Sequence, residues 1–189
     1  MTQLLTGAPP RPGRAPASRV AADFVASQVG WFACVLAAAH GRPWVGVASA
    51  AVIVAMHVGR SLRPTVELAL AALVMVVGAA WDSIAAASGL LTFASPGPIG
   101  ALAPAWIWAL WALFAITLNS TLGWLKGRWL LAAGLGSVCG PMAYWAGARM
   151  GAITMDDPWL TLPALGAAWA IILPLLLLLA CRYDGSKVD

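Results

Sequence analysis

Charge is what this chain has least of. Only 10% of its 189 residues are Asp, Glu, Lys or Arg, against about 25% in an ordinary soluble domain. Hydrophobic residues make up 61%, and the mean hydropathy is +0.84. A domain this small has too much surface for its volume to hide so much apolar side chain from water. A water-soluble globule is therefore excluded, and lipid is the expected solvent. Histidine is nearly absent: His40 and His57 are the two, and they fall at opposite ends of the segments described below, which argues against a two-His metal site. The three cysteines, Cys34, Cys139 and Cys181, lie in apolar stretches without CxxC spacing. That argues against a disulfide framework or a zinc site and leaves them as small packing residues. There is no GxxxxGK phosphate loop, no convincing Ser/His/Asp spacing and no stripe of basic and aromatic residues. No metal, cofactor or nucleic-acid partner is implied.

What the chain does have is a series of apolar runs separated by polar turns. Residues 1–19 carry Pro9, Pro10, Pro12 and Pro16 and read as a disordered tail. Six membrane spans are expected at about 21–40, 43–59, 65–88, 104–121, 128–150 and 159–182, followed by a short polar tail at 183–189. Asp23 sits at the start of the first span, where a negative charge suits a helix N-terminus. Pro43 suits the first turn of the second, which lies near the lower limit of about 17 residues for crossing a bilayer. The stretch from Leu90 to Ala103 is apolar but broken by Pro and Gly; it lies on the membrane surface or dips in under the cover of helices. Trp106, Trp108 and Trp111 suit an interfacial belt. In the fifth span, Gly136 and Gly140 are four apart, and so are Gly147 and Gly151. That spacing lets helix backbones approach closely. Pro141 is expected to kink this helix.

Six spans sort the basic residues by side. Arg11, Arg14, Arg19, Arg60, Arg63, Lys126, Arg128, Arg182 and Lys187 fall on one side, and Arg42 and Arg149 on the other, which accounts for all 11. The positive-inside rule then places both termini in the cytoplasm. The net charge of +4 follows from this topology.

Ionisable groups within spans are expensive and mark sites or structural pairs. They fall into two layers. The outer layer holds His40, Asp82, Tyr144 and Arg149. Asp82 with Arg149 is the natural ion pair, either lining an outward-facing pocket walled by Trp81, Trp106 and Trp108 or locking the third span to the fifth. The inner layer holds Gln28, His57, Arg60, Glu67, Asn119 and Arg128. His57 and Arg60 are three apart on one helix face, and Glu67 lies across a short turn from both. This layer reads either as a site for an anionic headgroup or a proton, or as snorkelling basic residues with a capping carboxylate. Glu67 and Asp82 lie ~22 Å apart along their helix and ~60° apart around it, with one towards each membrane surface.

The segments LWALFAITLNSTLGWL at Leu110–Leu125 and GSVCGPMAYWAGARMGAIT at Gly136–Thr154 resemble the signature of a domain-of-unknown-function family of small bacterial inner-membrane proteins. SQVGWFACVLAAAHG at Ser27–Gly41 and WDS at Trp81–Ser83 fit as well, so the resemblance runs from about Phe24 to Leu178. Where that family often has a His after the Asn equivalent to Asn119, this chain has Ser120. The resemblance implies a multi-pass bacterial inner-membrane protein. Members are often encoded near enzymes that modify unsaturated acyl chains of phospholipids, so it also implies membrane lipids, and lipid-modifying enzymes, as partners.

No strong catalytic motif is present. The functional expectations are an accessory factor in phospholipid acyl-chain modification, then a small transporter or lipid flippase. An integral-membrane enzyme comes last, because two distant histidines suit membrane redox chemistry poorly.

Overall fold

In the computed structural model, the structure describes residues 17–95, 97 and 102–185. Most of the expected N-terminal tail, part of the Leu90–Ala103 stretch and the last four residues lie outside the described residues. Within them the chain is all-α, with six helices: α1 (Ala17–Ala39), α2 (Pro43–Gly59), α3 (Pro64–Ala87), α4 (Ala105–Asn119), α5 (Trp129–Arg149) and α6 (Pro158–Arg182). A short 3-10 turn at Gly123–Leu125 lies between α4 and α5. Two short strands, β1 (Thr92–Phe93) and β2 (Ile153–Thr154), pair antiparallel with Thr92 opposite Thr154.

Local chemistry sets the helix starts and stops. Proline opens α2, α3 and α6, where a missing N–H costs nothing. The Asp157 carboxylate caps α6, accepting from the N–H groups of Trp159 and Leu160 at 2.9 and 3.3 Å; such a cap is worth ~1 kcal/mol. Gly41 and Gly151 follow the ends of α1 and α5 with φ of 70° and 86°, a region that only glycine adopts cheaply. α1 begins at Ala17, earlier than the charge pattern predicts, because Ala17–Ala22 contains no breaker. α5 runs unbroken through Pro141.

Successive helices alternate in direction, so their connections gather at two ends. One end joins the α1–α2, α3–α4 and α5–α6 turns. There the strand pair is extended by the Ala94 N–H to the Ala152 carbonyl at 3.0 Å, and the Thr161 hydroxyl donates to the Leu90 carbonyl at 2.8 Å. The other end joins the start of α1 to the α2–α3 turn, where Arg19 donates to the Arg60 carbonyl at 2.7 Å. The segment after α6 meets the same turn through the Arg63 N–H and the Gly185 carbonyl.

Packing divides the helices into two bodies. α1, α2, α3 and α4 pack on one another around α4, while α5 and α6 pack chiefly on each other. Glycines set the closest approaches. A Cβ at Gly136 would strike the Trp169 carbonyl of α6, and one at Gly140 would overlap the Trp169 ring. In the other body, a Cβ at Gly78 of α3 would overlap the Trp111 ring of α4.

The outside of the bundle is apolar. Leu130 and Trp159 are 92% and 91% exposed, which suits a lipid solvent rather than water. By length and composition, α1, α3 and α6 are long and apolar enough to cross a membrane; α2 and α4 are apolar but shorter.

The glycine contacts generate a stability test. Gly78→Ala is expected to destabilise the protein by about 1–3 kcal/mol through overpacking. Gly134→Ala, where the new Cβ meets nothing within 4 Å, should be neutral or stabilising by up to ~1 kcal/mol through helix propensity. Thermal unfolding in a mild detergent checks both.

Candidate functional site

The central site is built on Asp82, near the C-terminal end of α3 and only 2% exposed. Both of its carboxylate oxygens accept. The Trp111 indole N–H of α4 donates to Oδ2 at 2.6 Å, and the Tyr144 hydroxyl of α5 donates to Oδ1 at 2.6 Å. The indole N–H groups of Trp81 and Trp169 face the Tyr144 oxygen without reaching hydrogen-bond geometry. Trp111 and Trp169 stack at 5.2 Å with 9° between their planes, and Phe114 meets both edge-on.

A cavity of about 300 Å³ lies against this cluster, between the α1–α4 body and the α5–α6 pair. That size is at the lower end of ligand pockets. Its walls come from Trp31 and Val35 of α1, from α4 between Trp106 and Phe114, from α5 between Leu135 and Gly147, and from Trp169 and Leu173 of α6. The α5 wall alone is ~18 Å long, at 1.5 Å per residue. The space is therefore long, narrow and parallel to the helices, and nearly all of its lining is apolar. Lining residues that stay partly exposed, including Trp31, Leu110, Leu135 and Cys139, mark its mouth. α1 and α5 make almost no contact there, so the mouth opens on the apolar flank.

A second polar cluster closes the opposite end of the bundle. His57 of α2 has Nδ1 3.3 Å from the Asp23 carboxylate of α1 and Nε2 3.8 Å from the Glu67 carboxylate of α3. The first is an ion-pair distance without hydrogen-bond geometry. Asn119, the last residue of α4, uses its amide N–H₂ to bond Glu67 at 3.0 Å and the Tyr183 carbonyl at 2.9 Å. Its amide oxygen accepts from Lys126 at 2.6 Å. The Lys126 ammonium also bonds the Ala180 carbonyl in the last turn of α6, at 3.1 Å, and the Asp184 carboxylate, at 3.0 Å. A cation there suits the negative end of the helix dipole.

The chain belongs to the DUF2878 family. The match, to a protein family described as being of unknown function, spans residues 20–175. Neither a curated protein nor a solved structure matches the chain. The DUF2878 span holds the Asp82 cluster, the cavity and the cluster from Asp23 to Lys126. Tyr183 and Asp184, which complete that second cluster, lie beyond it.

The residues singled out from sequence divide accordingly. Asp82 and Tyr144 come together. Arg149 does not join them: it is exposed at the end of α5, five residues and hence ~140° around the helix from Tyr144. The expected Asp82–Arg149 ion pair is thus replaced by hydrogen bonds from Trp111 and Tyr144. His40 is exposed and turns back to the Leu36 carbonyl at 2.8 Å. At the other end His57, Glu67 and Asn119 come together, with Glu67 facing His57 rather than Arg60. Arg60 is exposed and bonds the Met56 carbonyl; Gln28 is exposed on the outer face of α1. Arg128 lies over the Trp124 ring at 5.8 Å. Gly136 and Gly140 sit at the α5–α6 contact, Gly147 lies against Ile153, and Gly151 forms the turn after α5.

Sequence reasoning missed Trp111 and Trp169 as polar groups of the site, and Asp23, Lys126 and Asp184 as partners in the second cluster. The signal for the tryptophans was their depth. An indole well inside an apolar helix carries an N–H that needs a partner, unlike one in an interfacial belt. Asp23 lies more than one turn inside α1 because that helix starts at Ala17.

Removing the bridging amide tests the second cluster. Asn119→Ala leaves Glu67 and Lys126 without their shared partner. It is expected to cost about 1–3 kcal/mol, seen as a lower thermal midpoint; Ser120→Ala, whose hydroxyl only returns to the Ile116 carbonyl, should stay within ~0.5 kcal/mol.

Proposed function

We propose that this DUF2878 protein crosses a bacterial inner membrane six times, with both termini in the cytoplasm. There it holds membrane lipid chains in its lateral cavity, as an accessory factor to enzymes that modify phospholipid acyl chains. The observation that carries this reading is the long apolar cavity, which opens sideways onto the apolar flank of the bundle and has one buried polar cluster on its wall. A chain in the surrounding bilayer reaches such a mouth without passing through water. A solute from the aqueous phase meets instead an end closed by the Asp23–Asp184 cluster or by the β1–β2 pair.

The topology is supported by the charge at the two ends. Arg19, Arg60, Arg63, Lys126, Arg128 and Arg182 belong to one end of the bundle, and Arg42 and Arg149 to the other. That asymmetry suits a cytoplasmic face at the first end. The link to acyl-chain modification comes from the resemblance described above and gains its physical content from the shape of the cavity. The transporter reading loses part of its motive, because Arg149 stands apart from Asp82.

Two measurements check the proposal. In a variant lacking the three native cysteines, a single cysteine at Ser61 is expected to be shielded from a membrane-impermeant thiol reagent in intact cells, and one at Arg42 to be labelled; the reverse pattern inverts the topology. A strain lacking the gene should show a changed profile of modified phospholipid acyl chains. An unchanged profile under both unstressed and oxidative growth would remove the accessory role.

A further inference from the structure

The polar wall of the cavity has an electrostatic peculiarity. Asp82 accepts a hydrogen bond at each oxygen, the pattern of an ionised carboxylate, which is acceptor-only. Trp111 N–H is a donor with no acceptor to offer in return. Yet among the described residues no Lys, Arg or His forms a salt bridge with Asp82. The cation that sequence reasoning assigned to it, Arg149, is exposed elsewhere. A carboxylate this deeply buried with only neutral donors is expensive to keep charged. The cavity that reaches it is lined by aromatic rings: Trp31, Trp106, Trp111, Phe114, Tyr144 and Trp169. The indole N–H edges of Trp81, Trp111 and Trp169 are turned towards the Asp82 and Tyr144 oxygens. Their electropositive edges are thus spent on the acid.

We infer that this pole of the cavity binds an organic ammonium group carried on an apolar chain. The carboxylate supplies the counter-charge, the aromatic rings supply the surface that attracts alkylated ammonium ions, and the remaining apolar length receives the chain. Asp82 lies five residues before the end of α3, or ~8 Å below that end of the bundle, so the polar pole leaves the length of the cavity towards Leu125 for the chain of a lipid whose headgroup carries an amine. A free lipophilic amine carries the same chemistry. The inference rests on the lateral-cavity reading above and adds the class of headgroup.

The test uses the full chain in nanodiscs of digalactosyldiacylglycerol, a neutral lipid with no ammonium group, with empty discs as the blank. Binding of radiolabelled decyltrimethylammonium and of decanol is measured. The wild type is expected to bind the ammonium at least tenfold more tightly than the alcohol. Asp82→Asn, which keeps the shape of the side chain, should bring the ammonium down to the level of the alcohol. Trp31→Leu, away from the hydrogen-bonded cluster, should weaken the ammonium severalfold and the alcohol less than twofold. Equal affinity of the wild type for both compounds overturns the inference, as does a preference that survives Asp82→Asn. Should Asp82→Asn not fold, equal weakening of both ligands by Trp31→Leu overturns it instead. If neither compound binds, the cavity reading itself fails, a result distinct from loss of the charge preference alone. Displacement of the probe by phosphatidylethanolamine but not phosphatidylglycerol assigns the site to a lipid headgroup; displacement by neither, with the preference for ammonium intact, assigns it to free amines.

Discussion

The hydrogen bond from Tyr144 to Asp82 is where the two bodies of this molecule meet inside the cavity. α3 belongs to the four-helix body and α5 to the helical pair, and both residues of the bond line the cavity towards one end of the bundle. In a lipid solvent, apolar contact alone gives helices little reason to associate, since the tails of lipids are as apolar as leucine. Specific hydrogen bonds and close backbone approach must do it. The Tyr144–Asp82 bond and the Trp111–Trp169 stack beside it supply the first. Gly78 under Trp111 and Gly140 under Trp169 supply the second. The same residues that join the bodies are therefore the polar and aromatic wall of the space between them.

The ends of the bundle are built differently. At one end a two-residue strand pair and the Thr161–Leu90 bond strap the α5–α6 connection to the α3–α4 connection. At the other, Lys126 and Asn119 fasten the end of α6 to α3 and α4. Fixing a pair of helices at both ends while leaving its middle apart produces a slot with a definite length and a lateral mouth. A gap of that kind would collapse if nothing held its ends at fixed separation, since close packing is the favoured state of a protein interior.

The all-α class and the six helices were legible in the sequence, because apolar runs of helical length separated by Pro, Gly and charge leave little choice of fold. Membership of the family was legible from the ordered motifs between Ser27 and Thr154. The candidate site was legible only in outline. Asp82, Tyr144, His57, Glu67 and Asn119 stood out because polar groups in apolar helices are conspicuous. What they touch was not readable, because partners are set by rotation about helices that the linear pattern does not index to one another. Arg149 illustrates this: charge pairing and depth favoured it, and a turn of ~140° relative to Tyr144 removed it. The tryptophans illustrate the reverse. Their abundance, 11 in the chain, made a surface belt the simple explanation and hid the inward-facing N–H groups of Trp81, Trp111 and Trp169.

The fastening at the end of α6 has a consequence for how the protein is made. Asn119 and Lys126 leave the ribosome before the residues that satisfy them, the Tyr183 and Ala180 carbonyls and the Asp184 carboxylate. Until α6 has docked, the amide of Asn119 and the ammonium of Lys126 have only each other, Glu67 and their surroundings to bind. The first four helices can form their own contacts during synthesis, but the slot exists only after the last residues of the bundle have docked. Completion of the cavity is thus coupled to the synthesis and docking of α6 and the residues just after it, and a product stalled before α6 would present an open groove instead of a ligand-sized space.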